Sequence, residues 1–95
     1  MARVVRSVTL VNAHGLHSRP ISKLIEVARR HQAALTIGCN GARANARRML
    51  EMLMLAAPPG AVLELEADGE DAEALVAAVE ALVRDGFGLA EGEKK

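Results

Sequence analysis

The chain has almost no aromatic side chains, since Phe87 is the single aromatic residue among 95 and both tryptophan and tyrosine are absent. A hydrophobic core must therefore come from aliphatic residues and methionine, with alanine letting the elements pack closely. The lack also argues against nucleic-acid binding, because sheets that read single-stranded RNA stack its bases on aromatic rings. A formal net charge of zero removes the usual electrostatic attraction to phosphate backbones.

A second cysteine and a long apolar segment are also missing. Cys39 alone cannot form an internal disulfide, and we expect a small packed side chain in a reducing compartment rather than a reactive thiol. No apolar stretch approaches the roughly 18–20 residues that span a bilayer. Residues 1–11 alternate polar and apolar side chains, whereas a signal peptide would need a continuous apolar run. These absences predict a cytoplasmic protein with one domain over residues 1–95 and no membrane insertion.

Charge is balanced over the whole chain but unevenly placed along it. Residues 1–48 carry nine of the twelve basic side chains and a single acid, Glu26, whereas residues 49–95 carry the other eleven acids. The pattern indicates a basic face that would attract an anionic ligand or an acidic partner.

The first third of the chain reads as a strand followed by a helix. Residues 3–11 are rich in β-branched side chains and alternate between two faces, which predicts a strand that Asn12–Gly15 ends. His17 or Ser18 would cap the helix, and Pro20 lies in its first turn, where a missing N–H costs nothing. The apolar side chains then recur with helical spacing at Ile21, Leu24, Ile25 and Ala28.

The rest of the chain consists of short elements separated by clear turn signals. Asn40-Gly41 is a strong signal for a two-residue hairpin turn, and Pro58-Pro59-Gly60 and Gly86 mark helix ends. Residues 88–95 are predicted as a frayed tail. The predicted elements are a strand over 34–39, a returning strand over 42–46, a helix from about 47 to 57, a strand over 61–67, and a helix that starts near Glu70 and stops before Gly86.

The predicted order is β-α-β-β-α-β-α, a split β-α-β arrangement extended by one helix. It predicts an open-faced two-layer sandwich of the α+β class, in which three helices cover one face of a four-stranded antiparallel sheet. In the second helix, Leu50, Leu53 and Met54 are predicted to form the core stripe. That interpretation leaves Met49 and Met52 on the rim of the helix.

The stretch Gly15-Leu16-His17-Ser18-Arg19-Pro20 lies between the first predicted strand and helix. The first N–H groups of a helix have no partner within it, and the helix dipole is positive there. A neutral imidazole at this junction can attack phosphorus, and the free N–H groups and Arg19 would hold the phosphoryl oxygens. From the residues alone, His17 could instead be a simple capping or surface residue. A metal pair of His14 and His17 is disfavoured because no third ligand is nearby.

The same stretch resembles the active-site motif Gly-Leu-His-x-Arg-Pro of HPr, the histidine-containing phosphocarrier family of bacterial phosphotransferase systems. The resemblance covers about residues 4–87 and continues in Asn45-Ala46-Arg47, in Leu53-Met54-Leu55 and in Ala67–Asp71. Met52–Leu55 and Leu82–Phe87 resemble the nitrogen-related branch, NPr, so the sugar and nitrogen-regulatory systems both remain open.

The resemblance implies a role for several residues. His17 would carry the phosphoryl group on Nδ1, and Ser18 and Arg19 would bind it, with no cofactor and no metal. Enzyme I would donate the group from phosphoenolpyruvate and an enzyme IIA-type protein would accept it. The chain would be a monomeric relay intermediate, not a stand-alone turnover enzyme. A regulatory module with the same fold, which docks on proteins without phosphotransfer, is the alternative.

The resemblance also implies a docking surface near the second helix. It places partner-contacting apolar residues at Met49 and Leu50, although core packing is the rival interpretation for Met49. Arg47 and Arg48 would extend the basic surface towards His17, unless both are simply solvated.

Two positions depart from the family pattern. Ile21 replaces the usual small residue after the motif proline and is expected to alter partner fit. Arg48 stands where the family has a regulatory serine, so kinase control of that kind is not expected.

Overall fold

The computed structural model describes residues 3–88. It confirms the predicted element order, and most boundaries agree within two residues, although the second helix is much shorter than predicted. The tail predicted for residues 88–95 lies outside the described residues, apart from Gly88. The elements are β1 (Arg3–Thr9), α1 (Ser18–Arg29), β2 (Ala34–Cys39), β3 (Ala42–Asn45), α2 (Met49–Met54), β4 (Val62–Asp68), α3 (Ala72–Arg84) and a 3₁₀ turn (Gly86–Gly88).

The four strands form one antiparallel sheet with the order β1-β4-β2-β3. Because β4 lies between β1 and β2, the helix α1 crosses over one strand, which is the split β-α-β arrangement expected from the element order. The strands alternate buried and exposed side chains, so one face of the sheet lies under the helices and the other faces solvent. The buried strand residues include Val8, Leu35, Ile37, Leu63, Leu65 and Ala67.

The hairpin turn between β2 and β3 is the two-residue turn that the sequence predicts. Asn40 and Gly41 both have positive φ, 50° and 84°. A tight hairpin of this kind needs positive φ at both central residues, which asparagine and glycine tolerate best. Cys39, just before the turn, is buried and free, as expected of a packed side chain.

Helix α1 buries the predicted apolar stripe, which includes Ile21. Ile21 has no exposed surface and its side chain belongs to the hydrophobic core. A partner at the surface would not touch this side chain directly, and an effect of Ile21 on partner fit stays a prediction.

Helix α2 turns a different face to the core from the one predicted. Met52 is fully buried, whereas Leu50, Leu53 and Met54 are 71%, 40% and 74% exposed, so the predicted core stripe is wrong. Six of the seven residues from 49 to 55 are apolar, and such a segment has no spacing that marks its buried side. The Glu51 carboxylate accepts the N–H of Asn45 at 2.9 Å, which links this helix to the end of β3.

Asp71 ties the start of α3 to the segment that follows α1. Its carboxylate accepts the N–H groups of Gln32 at 2.9 Å and Ala33 at 2.7 Å. The bonds from Gln32 and Ala33 favour the charged carboxylate and lower the pKa of Asp71 below its ordinary value of 3.8. Asp71 thereby links the loop before α3 to the loop after α1.

Replacement of Asp71 tests the link through its pH dependence. Because folding lowers the pKa, ionised Asp71 stabilises the fold in full above about pH 3.8, and this stability is lost as the pH falls through the folded-state pKa. We expect Asp71→Asn to lower the free energy of unfolding at neutral pH, with a deficit that shrinks below about pH 3.8. Urea unfolding at several pH values measures this. Asp68→Asn, at an exposed position, is the control, and equal deficits in both variants would contradict the prediction.

Candidate functional site

The loop between β1 and α1 is packed against the segment that follows α2. The N–H of Leu16 donates to the carbonyl oxygen of Ala57 at 2.9 Å, and the Leu16 side chain is 4% exposed. At the other end of the loop, Leu10 exchanges two backbone hydrogen bonds with Gly60 and Ala61. These contacts fix the chain on the approach to His17.

Gly15 permits the closest part of this contact. Its φ is +67°, a left-handed conformation that favours glycine. A Cβ at this position would run into the carbonyl oxygen of Ala57 and would lie 2.8 Å from the carbonyl carbon of Pro58. The glycine of the motif is therefore required by both backbone conformation and space.

Asn12 is the polar side chain buried in this loop, with 2% of its surface exposed. Its Nδ2 donates to the carbonyl oxygen of Gly15 at 2.6 Å. The sequence pattern treated Asn12 only as part of a strand-breaking segment. No local sequence pattern marked this bond, because the common asparagine turn bond reaches the backbone two residues on rather than three.

His17 lies at the N-cap of α1, with extended backbone angles and no capping hydrogen bond from its side chain. A cap role would need the side chain to accept a helix N–H, so the simple capping alternative is not supported. The ring is half-buried, and its Nε2 is enclosed with no hydrogen-bond partner within residues 3–88. A phosphoryl donor cannot approach Nε2 in this conformation, and the assignment of Nδ1 as the reactive nitrogen stays a prediction.

The surroundings of His17 combine a second imidazole with the positive end of α1. The His14 ring is exposed and lies edge-on, with centroids 5.8 Å apart and planes at 84°. Ser18 and Arg19 follow His17 in the first helical turn, and both are exposed. Their N–H groups have no helical acceptor, because the first turn of a helix lacks a preceding turn. The site therefore offers backbone donors at the helix start, and the exposed Arg19 belongs to the same helical turn.

Met49 and Leu50 begin α2, which packs beside α1. Met49 is half-buried and lines a groove between the two helices together with Ile25 and Arg29. Leu50 is exposed on the same short helix. Met49 thus packs partly against the core and is partly exposed. Docking of a partner on Met49 and Leu50 remains a prediction.

Arg47 and Arg48 differ in their surroundings although they are adjacent. The Nη2 atom of Arg47 donates to three carbonyl oxygens at the end of α1 and just beyond, those of Ala28, His31 and Ala33, at 3.1, 2.6 and 3.3 Å. The solvated alternative is wrong for Arg47, because its guanidinium binds the negative end of a helix. Arg48 is exposed and lies 3.7 Å from Glu51.

The uneven charge along the chain is largely neutralised in the fold. Arg3 and Arg43 both pair with Glu66 at 3.0 Å, and their hydrogen bonds lower the pKa of Glu66. Arg6 pairs with Glu80 and Glu73 on α3. Basic residues of the first half thus meet acids of the second, and the expected basic face is smaller than the sequence indicates. Within residues 3–88, Lys23 and Arg29 on α1 have no acidic partner.

Residues 3–88 contain neither a metal-binding cluster nor a membrane-spanning helix. No group of three or more His, Cys, Asp or Glu side chains in this part of the chain is arranged to hold a metal ion. In the same range, the helices are too short or too polar to cross a bilayer.

Comparison with known proteins decides the family. A family model described as the phosphorylation site of the PTS HPr component matches residues 4–85. The chain belongs to the HPr family. It is 34% identical over 88 residues to the phosphocarrier protein HPr of Neisseria meningitidis, which covers 93% of this chain and 97% of that protein. It is 37% identical over 83 residues to the phosphocarrier protein NPr of Shewanella violacea, covering 87% of this chain and 91% of that one.

Solved structures of HPr proteins confirm the fold. An HPr from Thermoanaerobacter tengcongensis superposes with a TM-score of 0.85 at 26% identity and covers 95% of this chain and 99% of that chain. The HPr of Bacillus anthracis gives a TM-score of 0.82 at 29% identity, over 87% and 99% of the two chains. The family resemblance and the fold class inferred from the sequence are both confirmed.

Gly15→Ala tests the loop contact. We expect a loss of about 2–4 kcal/mol in the free energy of unfolding, because a left-handed non-glycine residue and a steric overlap both add cost. Gly60→Ala is the matched control: its φ is +83° but nothing lies within 4 Å of an added Cβ. It should lose only about 1 kcal/mol. Equal losses in denaturant unfolding would show that Gly15 is not needed for close packing.

Arg47→Ala separates a structural arginine from an exposed one. We expect a loss of about 1.5–3 kcal/mol, the range for hydrogen bonds to a charged group. Its neighbour provides the control, since Arg48→Ala should change stability by less than about 0.5 kcal/mol. Chemical denaturation measures both variants, and an Arg47 variant as stable as the Arg48 variant would contradict the assignment.

Proposed function

We propose that His17 accepts a phosphoryl group from phosphorylated enzyme I and passes it to an enzyme IIA-type protein. The observation that carries the proposal is the placement of the His17 ring at the start of α1 with Nε2 enclosed, which leaves Nδ1 for attack. Membership of the HPr family supports the same chemistry.

The transfer needs a neutral imidazole with its proton on Nε2. The lone pair of Nδ1 forms a bond to phosphorus while the bond from phosphorus to the donor atom breaks, and that electron pair stays with the donor. The second transfer repeats the step with Nδ1 as the leaving atom. Little covalent chemistry is required of so small a protein, because the rate comes from in-line positioning and charge stabilisation.

The first turn of α1 supports the phosphorylated state. The backbone N–H groups of the first turn and the positive helix end favour a bound dianion. The Arg19 guanidinium adds charge-assisted hydrogen bonds to the phosphoryl oxygens. No cofactor and no metal take part.

Partners would dock on the face formed by α1 and α2. Leu50 supplies an exposed apolar contact, with Met49 at the edge of the inter-helix groove. Arg48 borders this face, as does Arg47 with the part of its side chain not used in binding α1. The donor and the acceptor would use this one face in turn. The chain works as a monomer in the cytoplasm.

The nitrogen-related branch is the more specific proposal. It rests on the similarity of Met52–Leu55 and Leu82–Phe87 to NPr, and on the 37% sequence identity to the NPr of Shewanella violacea. Transfer from the phosphorylated chain to a nitrogen-related enzyme IIA domain, in preference to a sugar-specific one, would support that branch.

Phosphorylation by enzyme I and phosphoenolpyruvate tests the proposal. The wild type should take up one acid-labile phosphoryl group, His17→Ala should take up none, and His14→Ala should still be labelled. Mass spectrometry of intact protein measures this. Label on His17→Ala would overturn the assignment of His17. A wild type that is never labelled, yet captures the same partners as His17→Ala, would instead favour a regulatory docking module.

A further inference from the structure

The proposed function gives no role to His14, although the ring of this residue lies against the ring of His17. The two ring centroids are 5.8 Å apart and the ring planes meet at 84°, which is an edge-to-face arrangement. Aromatic rings favour this arrangement. His14 is exposed, however, so packing against His17 leaves much of the ring in solvent. An exposed imidazole beside the proposed nucleophile therefore calls for an explanation beyond packing.

The backbone turn that carries His14 is fixed on both sides. On one side, the carbonyl oxygen of Asn12 accepts the N–H of Gly15 at 3.4 Å, and Nδ2 of Asn12 donates to the carbonyl oxygen of Gly15 at 2.6 Å. On the other side, the N–H of Leu16 donates to the carbonyl oxygen of Ala57 at 2.9 Å. These bonds hold the backbone of His14 close to the start of α1.

The nitrogens of the His14 ring are available to a ligand. Within residues 3–88, neither of them takes part in a hydrogen bond. A neutral imidazole offers one N–H donor, and a protonated imidazole offers two. The other donors proposed for the phosphoryl group, the N–H groups of the first turn and the guanidinium of Arg19, all belong to α1. His14 would add a donor from the loop that precedes this helix.

A phosphoryl group on His17 would lie close to this donor. Because Nε2 is enclosed, the group would project from the part of the His17 ring that solvent reaches. Rings with centroids 5.8 Å apart are near enough for a group attached to one ring to contact the other. The His14 ring is exposed and makes no hydrogen bond in the described part of the chain, so rotation about its two side-chain bonds can turn a nitrogen towards the phosphoryl oxygens.

We propose that His14 binds the transferred phosphoryl group: in the phosphorylated protein, a ring N–H of His14 donates to a phosphoryl oxygen carried by His17. The inference rests on the proposed function of His17 as the phosphoryl acceptor. A hydrogen bond to a dianionic oxygen is charge-assisted and stronger than one between neutral groups. Because the bond forms only after transfer, it stabilises the phosphorylated protein relative to the unphosphorylated one. His14 thereby sets how far the transfer equilibrium with enzyme I lies towards this chain.

The equilibrium of phosphoryl transfer measures this stabilisation separately from docking and rate. At a fixed ratio of phosphoenolpyruvate to pyruvate, with a catalytic amount of enzyme I, mass spectrometry of intact protein gives the ratio of phosphorylated to unphosphorylated chain. We expect His14→Ala to lower this ratio about tenfold, which is the effect of one charge-assisted hydrogen bond. Val11→Ala, at an exposed position of the same loop, is the matched control and should leave the ratio unchanged.

Further substitutions separate the N–H donor from the ring. His14→Phe keeps a ring without a donor, and its ratio should fall as far as that of His14→Ala. His14→Asn and His14→Gln place an amide N–H near the positions of the two ring nitrogens, and at least one of them should stay within about threefold of wild type. A wild-type ratio in His14→Phe would overturn the inference, as would a full loss in both amide variants.

Proton NMR of the His14 ring gives a direct readout. An exposed ring N–H exchanges rapidly with water, whereas a hydrogen bond slows the exchange, so we expect an observable His14 ring N–H signal in the phosphorylated protein alone. Absence of this signal in both forms would overturn the inference. A wild type that takes no label would overturn the proposed function and this inference together. A labelled wild type whose ratio equals that of His14→Ala would overturn this inference alone.

Discussion

The contact between Leu16 and Ala57 is the constraint on which the site depends. It joins the loop that carries His17 to the segment that follows α2, and it needs a residue without a Cβ at Gly15. Ala56, with a φ of +49°, ends α2 just before this contact. The backbone segment that ends the proposed docking helix α2 is therefore also the segment that positions the loop of His17, the proposed nucleophile.

The distribution of charge complements this arrangement. Arg3, Arg6 and Arg43 are paired with acids of β4 and α3, away from the start of α1. Lys23 and Arg29 on α1 have no acidic partner within the described residues. The arginines on strands β1 and β3 are thus neutralised by acids, whereas positive charge is retained on α1, the helix that begins after His17. A dianionic group is favoured at the start of α1, and acidic partners are favoured along the same helix.

Much of the fold could be predicted because its turns carry strong local signals. Asn40-Gly41 and Gly86 ended elements where the structure ends them, and alternating side chains marked the first strand. Which face of α2 is buried could not be predicted, since nearly every residue in this helix is apolar. The role of Arg47 depends on carbonyl oxygens 14 to 19 residues away, which no local pattern reveals. The motif identified His17, but the enclosure of Nε2 and the bond from Asn12 to Gly15 required the packed loop.

The central claim is that Nδ1 of His17 is the atom that bears phosphate, because Nε2 is enclosed at the head of α1. Long-range ¹H–¹⁵N correlation of the phosphorylated protein distinguishes the two ring nitrogens of each histidine by their chemical shifts and their coupling to phosphorus. The structure predicts coupling to Nδ1 of His17, with the rings of His14 and His31 unmodified. Coupling to Nε2 of His17, or to either nitrogen of another histidine, would contradict the account.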